Sequence, residues 1–439
     1  MLKSVAIAVS AASLAAGAAF AVASPGASPA DATPLASHHN SAVFLAHPDI
    51  VHLGRSAKDD PPTSAECEQQ YGIACYDPAQ VQTAYNLGPL YSAGINGRGR
   101  TIAVVDVFGS PTIGHDLSQF DSAFGLPAPP SLKVIAPAGR VPSYNKNNGD
   151  MVGWAGETTL DVEYAHVIAP DAKILVVEIP ESGTGNFMAQ AAAAVNYLAK
   201  HHLADVVSQS FGGAEPAVGS VSGFQYGYQA AERSHLTVLA SAGDGGTANV
   251  GPDMKTYYTY ATTQYPSTDP LVTAVGGSDL HLNASGQRSS PDTVWNDTYN
   301  GTTQKFVNGN SGPNPLATGG GASRLYGRPS YQNSVRSTVG GSRGVPDVEM
   351  SGSCSGAVNV YQSFPGQQAG YYAVCGTSEA SPLFAGIVRI TSGNNTASFR
   401  QHGRRYTISG YKARNGYSRV AGVGTVNARF FVPELAKLA

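Results

Sequence analysis

Five short runs dominate what this chain can fold into: TIAVVDV (101–107), KILVVEI (173–179), ADVVSQS (204–210), LTVLASAG (236–243) and LVTAVGG (271–277). Each is apolar almost without interruption, and none alternates apolar with polar residues as a strand with one wet face would. Strands of this kind are buried on both faces, the condition of a parallel sheet covered by helices. The cover is supplied between them, by FMAQAAAAVNYLAKHH (187–202) and the stretch around 222–234. The alternation predicts an α/β fold, a largely parallel sheet flanked by helices, in one large domain over residues 76–439. No internal repeat is visible.

Against that apolar background charge is scarce, at 13% of residues, where roughly 25% is ordinary for a soluble domain. Lys and Arg number 27 and Asp and Glu 30, for a net charge of -3. This balance gives no electrostatic case for nucleic acid or an anionic membrane as partner and leaves small-molecule, peptide or glycan chemistry. It also makes acids inside apolar runs conspicuous. GETTLDVEYAHVIAP (156–170) carries Glu157 and Asp161 four positions apart among Leu160, Val162, Tyr164, Val167 and Ile168. At that spacing they share one helix face, where exposed like charges repel mildly and buried ones can share a proton.

The N-terminus reads as an export signal over residues 1–23: Lys3, an apolar run from Val5 to Val22, then Ala21-Val22-Ala23 as a cleavage site before Ser24. No later run reaches the about 20 apolar residues that span a bilayer. The mature chain is expected to be secreted, free of the membrane and monomeric. Residues 24–75 read as a linker or short pro-segment, largely disordered, since 24–66 are Ala, Ser, Pro and His with little periodicity. Four cysteines suit an oxidising compartment and fall into two local pairs, Cys67 with Cys75 and Cys354 with Cys375. They lack the spacing of a metal site.

Three further features carry chemistry. In CGTSEASPLFAG (375–386), Ser378 stands at the start of a predicted helix, where free N–H groups favour developing negative charge. An ordinary N-cap serine reads the same way. A serine nucleophile needs a base, and the histidines do not provide one: His38, His39, His47 and His52 fall in the linker, His201, His202 and His281 read as exposed, and His166 as packed or surface. Glu157, held by Asp161, is the candidate instead. In SAGDGG (241–246), Asp244 follows a strand end in a tight turn, where parallel-sheet proteins bind ligands and where Asp also simply satisfies turn amides. The Gly-rich stretch NGNSGPNPLATGGGAS (308–323) reads as a surface connection or as a backbone wall for an extended substrate.

Taken together, ExxxD at Glu157 and Asp161, SQSFGG (208–213), SAGDGG (241–246), GGGASRLYGRPSYQ (319–332), VPDV (345–348) and GTSEASPLFAG (376–386) resemble, in order, the motifs of the sedolisin family of serine-carboxyl peptidases. The resemblance covers roughly residues 76–439 and implies a subtilisin-like fold. It implies polypeptide substrates and peptide hydrolysis in acid, with Ser378 as nucleophile, Glu157 as general base and acid, Asp161 as its partner and a protonated Asp244 as oxyanion donor. Ser208, Ser210, Gly212 and Gly320 would lie along the substrate. Below about pH 6 imidazole is mostly protonated, whereas a carboxylate with a pKa of about 4 to 5 still accepts a proton.

The chain departs from the family in three places, the first being that only about fifty residues, and not a large prodomain, separate the signal from the catalytic region. The family's calcium site would draw on VRITSGNN (388–395) and ARNGYSRVAGVGT (413–425), but Arg389 and Ser418 stand where carboxylates belong, beside the carbonyls of Ile390 and Gly416. Calcium binds charged oxygens, so no metal is expected. The stretch after Ser378 is also short, and so a catalytically impaired, peptide-binding homologue is the alternative. A histidine-dependent enzyme oriented by Asp106 lacks its histidine helix. A glycosidase is disfavoured because acids four apart on one helix cannot flank a sugar from opposite faces.

Overall fold

All five apolar runs become strands, and all five are parallel to one another. Thr101–Val107 lies at the centre, paired residue for residue with Lys173–Ile179 from Thr101↔Lys173 to Val107↔Ile179. On its other side follow Val206–Gln209, Thr237–Ser241 and Thr273–Asp279. Leu132–Ile135 extends one edge in parallel. Thr293–Val294 closes the other edge antiparallel, and Val348–Ser351 pairs in parallel with Thr273–Asp279. This computed structural model describes residues 47–48, 51–56, 60–181, 187–251, 256–297, 316–389 and 416–436.

The reason for the continuous apolar runs is visible in the packing. Ile102 and Val104 point to one face, where they meet Leu160, Tyr164 and Ile168 of the helix Gly149–Ile168 and Leu383, Phe384 and Ile387 of the helix Thr377–Arg389. Ala103, Val105 and Val107 point to the other, against Phe187, Ala191 and Val195 of Phe187–His201 and Tyr228 of Gln225–Arg233. A sheet with a core on each face has no wet side to mark with polar residues. Gly149–Ile168 is itself buried from Trp154 to Ile168, which is why its sequence is apolar around its whole circumference.

The N-terminal region differs from the expectation of disorder. Val51–Arg55 forms a strand antiparallel to Gly370–Cys375, and Ser64–Tyr71 forms a helix. That helix has a full capping box: Thr63 accepts from Glu66 N, and the Glu66 side chain accepts from Thr63 N. The Cys67–Cys75 disulfide then ties it to Ala74–Tyr76, which pairs with Gly356–Gln362. Composition hid these local constraints. The second expected disulfide, Cys354–Cys375, is also formed. The signal segment and residues 24–46 lie outside the described residues. Among the described residues no helix is long and apolar enough to cross a membrane.

Candidate active site

Glu157 and Asp161 come from the middle of Gly149–Ile168, whose start is fixed by Asn148 Oδ1 accepting from Asp150 N (3.0 Å) and Met151 N (3.3 Å). Both acids are fully buried. The Ser210 hydroxyl donates to Asp161 Oδ1 at 2.7 Å and lies 3.3 Å from the carbonyl oxygen of Ser378. Ser378 Oγ donates to the carbonyl of Ser210 at a long 3.5 Å. Asp161, Ser210 and Ser378, nearly 220 positions apart at their extremes, therefore meet where one helix face crosses the start of another. Asp161 Oδ2 has no hydrogen-bond partner among the described residues.

Ser378 is the second residue of its helix, as its sequence context predicts. Thr377, just before it, holds Asp244: Asp244 Oδ1 accepts from Thr377 N and from Thr377 Oγ1, each at 2.8 Å, while Thr377 Oγ1 accepts from Gly243 N at 3.0 Å. The turn bringing Asp244 there needs Gly243 at φ +98°, in the left-handed region. Asp244 thus sits beside the free helix N-terminus that also presents Ser378.

The local electrostatics favour neutral acids. Burial pushes Asp161 well above the usual carboxylate range, the charge of Asp106 adds to this, and the Ser210 bond opposes it. Asp106, at the end of the central strand, is pushed up to about 7, chiefly by burial, with the Thr158 hydroxyl opposing and Glu178 adding. Glu178 itself rises to about 7 through burial. Two close, buried acids cannot both ionise cheaply, so protons are retained here at pH values where free carboxylates lose them.

The four expected substrate contacts have different surroundings. Gly212 belongs to the strand Phe211–Ala214, whose edge is paired antiparallel with His47–Pro48 of the same chain (His47↔Gly212, Pro48↔Phe211). Ser210 is committed to Asp161. Ser208 is buried, its hydroxyl 2.8 Å from that of Ser381, so it anchors the Ser378 helix to the sheet. Gly320 is a close approach of backbones: a Cβ there would stand 2.2 Å from the Arg419 carbonyl.

The deciding observation is a match to a family model. The family model described as the subtilase family matches residues 143–424. The fold aligns with the solved Pseudomonas sedolisin, a serine-carboxyl proteinase complexed with pseudo-iodotyrostatin, at a TM-score of 0.66 and 22% identity, covering 83% of this chain and 99% of that one. The chain belongs to the subtilase family, in its sedolisin branch. It is 32% identical to kumamolisin of Bacillus sp. over 331 residues, 73% of this chain and 52% of that protein. Against sedolisin of Pseudomonas sp. the figures are 28% over 332 residues, 73% and 51%. The chain therefore spans about half the length of these two sedolisin relatives.

Motif order had singled out Ser378, Glu157, Asp161 and Asp244, but Thr377 and Asp106 were not given roles at this site. Thr377 was legible only as part of a Gly-Thr turn. Asp106 was visible as an acid ending an apolar strand, then set aside with the histidine mechanism. Gln264 was missed as well. Its amide fills the slot between Gly212 and Gly243, where a Cβ on either glycine would come within 2.4 Å of it, and Nε2 donates to Ser241 O at 3.1 Å. His166 is packed, with Nε2 2.7 Å from Pro127 O and 3.3 Å from Asp121 Oδ1.

At the sedolisin calcium positions, the described residues do not form a fitting donor set. Arg389 is buried and donates from Nη2 to Thr237 Oγ1 at 2.6 Å. Ser418 Oγ accepts from Val420 N and Ala421 N, both at 3.1 Å. A guanidinium and a turn-bound hydroxyl are poor substitutes for two carboxylates. Ile390 lies outside the described residues.

Proposed function

We propose that this chain is a secreted, acid-active serine-carboxyl peptidase that hydrolyses polypeptides as a monomer through an acyl-enzyme on Ser378. Support comes chiefly from one observation: Asp161, Ser210 and Ser378 meet at the N-terminus of the helix beside which Thr377 holds Asp244.

In this reading the Glu157 carboxylate takes the Ser378 proton as Oγ attacks the scissile carbonyl carbon, and the carbonyl π pair moves onto oxygen. Asp161, one helical turn on and held by Ser210, shares a proton with Glu157 and keeps the pair singly charged. Asp244 donates to the oxyanion. Its Oδ1 already accepts two bonds from Thr377, so a proton carried by this carboxyl belongs on Oδ2. Collapse breaks the C–N bond, Glu157 returns the proton to the leaving amine, and water attacks the ester with the same assistance.

The test is digestion of an unfolded protein at about pH 4, within the range where carboxylates of pKa about 4 can act as base. Peptide products are expected from the parent chain and none from Ser378→Ala. A kcat/KM profile peaking above pH 7, or activity undiminished in Glu157→Gln, would falsify the assignment.

A further inference from the structure

Beside the Asp244 turn lies a cavity of about 630 Å³, lined among others by Thr247, Ser323, Arg324, Tyr326, Ser342 and Arg419. It adjoins the proposed catalytic groups through three links, two of backbone and one through a side chain. Thr247 follows Asp244 by three residues, and its carbonyl accepts from Thr262 N at 2.9 Å. Gly319 N donates to Gly243 O at 2.6 Å, and Gly320 abuts the Arg419 carbonyl. Glu215, immediately after the strand Phe211–Ala214, accepts from Ser323 Oγ and, at 2.7 Å, from Arg324 N. The cavity is thus bounded by the continuations of the oxyanion turn and of the strand that pairs with extended backbone.

Its charge is one-sided. Arg324 and Arg419 are exposed, and among the described residues neither has a carboxylate within ion-pair distance, nor is any lining residue acidic. Glu215 is buried beneath, with its oxygens taken by Ser323 and the backbone. The Arg324 guanidinium stacks 4.4 Å from the centroid of the Tyr260 ring, which fixes its plane while leaving its donors available. Two guanidinium groups without an internal counter-charge, around an open cavity, are suited to a carboxylate, which they can bind through charge-assisted, bidentate hydrogen bonds.

We propose that this cavity is a substrate subsite that takes a carboxylate of the polypeptide, bound by Arg324 and Arg419. The proposal rests on the peptidase reading above. The carboxylate can belong to an Asp or Glu side chain or to a free C-terminus, and the test separates them.

Binding to the Ser378→Ala protein is measured by fluorescence polarisation at about pH 5.5, above the ordinary glutamate pKa of about 4.3. Labelled peptides carry one Glu or its Gln counterpart at successive positions, each with a free or an amidated C-terminus. The expected result is binding about 10-fold tighter for a carboxylate in one of the two arms. That ratio falls towards one at pH 3, as the carboxylate protonates, and is lost in Arg324→Gln/Arg419→Gln. Arg419→Glu, which sets a negative charge beside Arg324, also abolishes the preference. Equal affinity across the set, or a preference that survives the double replacement, overturns the subsite. Because binding is read without turnover, failure of the parent chain to cleave any peptide counts against the peptidase reading alone.

Discussion

Pro382 stands four residues after Ser378, so the helix has no N–H to return to the Ser378 carbonyl. Ser210 approaches that carbonyl instead, at 3.3 Å, with the same hydroxyl that donates to Asp161 at 2.7 Å. A hydroxyl has one proton, and the shorter distance assigns most of it to the acid. The proline therefore frees an acceptor that draws Ser210 to the point where it also serves Asp161. Ser210→Ala removes Asp161's one hydrogen-bond donor among the described residues and further raises its pKa. The expected outcome is a fall in kcat/KM of about 10- to 100-fold and a loss of about 1–3 kcal/mol in unfolding free energy, read by peptide hydrolysis and urea titration. Activity equal to the parent chain would remove Ser210 from the mechanism.

Asp106 acts on the same acid through charge. Its ionised form raises the pKa of Asp161, so Asp106→Asn lowers it. If the acid pair must hold a shared proton to work, the alkaline limb of the kcat/KM profile moves acidward in this variant. The profile is measured on one peptide across pH 3–8. An alkaline displacement would contradict the coupling.

Thr377 tests the other half of the site. Thr377→Val keeps the shape but deletes the hydroxyl that donates to Asp244 Oδ1 and accepts from Gly243 N. Asp244 keeps the bond from residue 377 N but loses its lateral support. A fall in kcat of about 10-fold or more, with KM little changed, is expected of a group that positions an oxyanion donor. A change confined to KM would instead assign Thr377 to substrate binding.

Much of this was legible because the signals were local and strong. TIAVVDV and KILVVEI became Thr101–Val107 and Lys173–Ile179 with the limits the runs had suggested, since a strand buried on both faces announces itself without reference to its partners. Glu157 and Asp161 were legible for a related reason: two acids in a helix otherwise apolar on every side require compensation. What stayed hidden depends on distant partners. That Ser208 faces Ser381 and Ser210 faces Asp161 follows from pleat and register, which neighbouring residues in SQSFGG do not encode. Val51–Arg55 was hidden because its pairing partner, Gly370–Cys375, lies some 320 residues later.

The buried acids fix the sign of the pH dependence of stability. Asp106 rises from 3.8 to about 7, Glu178 from 4.5 to about 7 and Glu379 from 4.5 to about 8, in each case mainly through burial. A folded-state pKa above the unfolded value means that folding favours the proton. The benefit is complete below the unfolded pKa and is lost as pH rises through the folded one. The window is therefore pH 4 to 8. His52 opposes this, since burial lowers it from 6.5 to about 4 and its neutral form is favoured, but it is one group against several. The thermal midpoint is expected to be higher at pH 5 than at pH 8 by more than about 5 °C, and calorimetry reads it directly. A midpoint that rises towards pH 8 would show that the acids are ionised and compensated in the folded state.

Arg389 makes the final case, because its position carries a cation in covalent form. Burial lowers its pKa to about 10, with the charge of Asp205 partly offsetting this, so it remains protonated throughout the acid range. A fixed positive charge repels a divalent ion, and the Ser418 hydroxyl is engaged with backbone N–H groups. Chelation is therefore expected to leave the thermal midpoint within about 1 °C, and added calcium to leave it equally unmoved. Arg389→Met should also cost little, since burial disfavours the charged form, even though the bond from Nη2 to Thr237 Oγ1 is lost. A calcium-dependent rise of several degrees in the parent chain would mean that other oxygens build the site without either position.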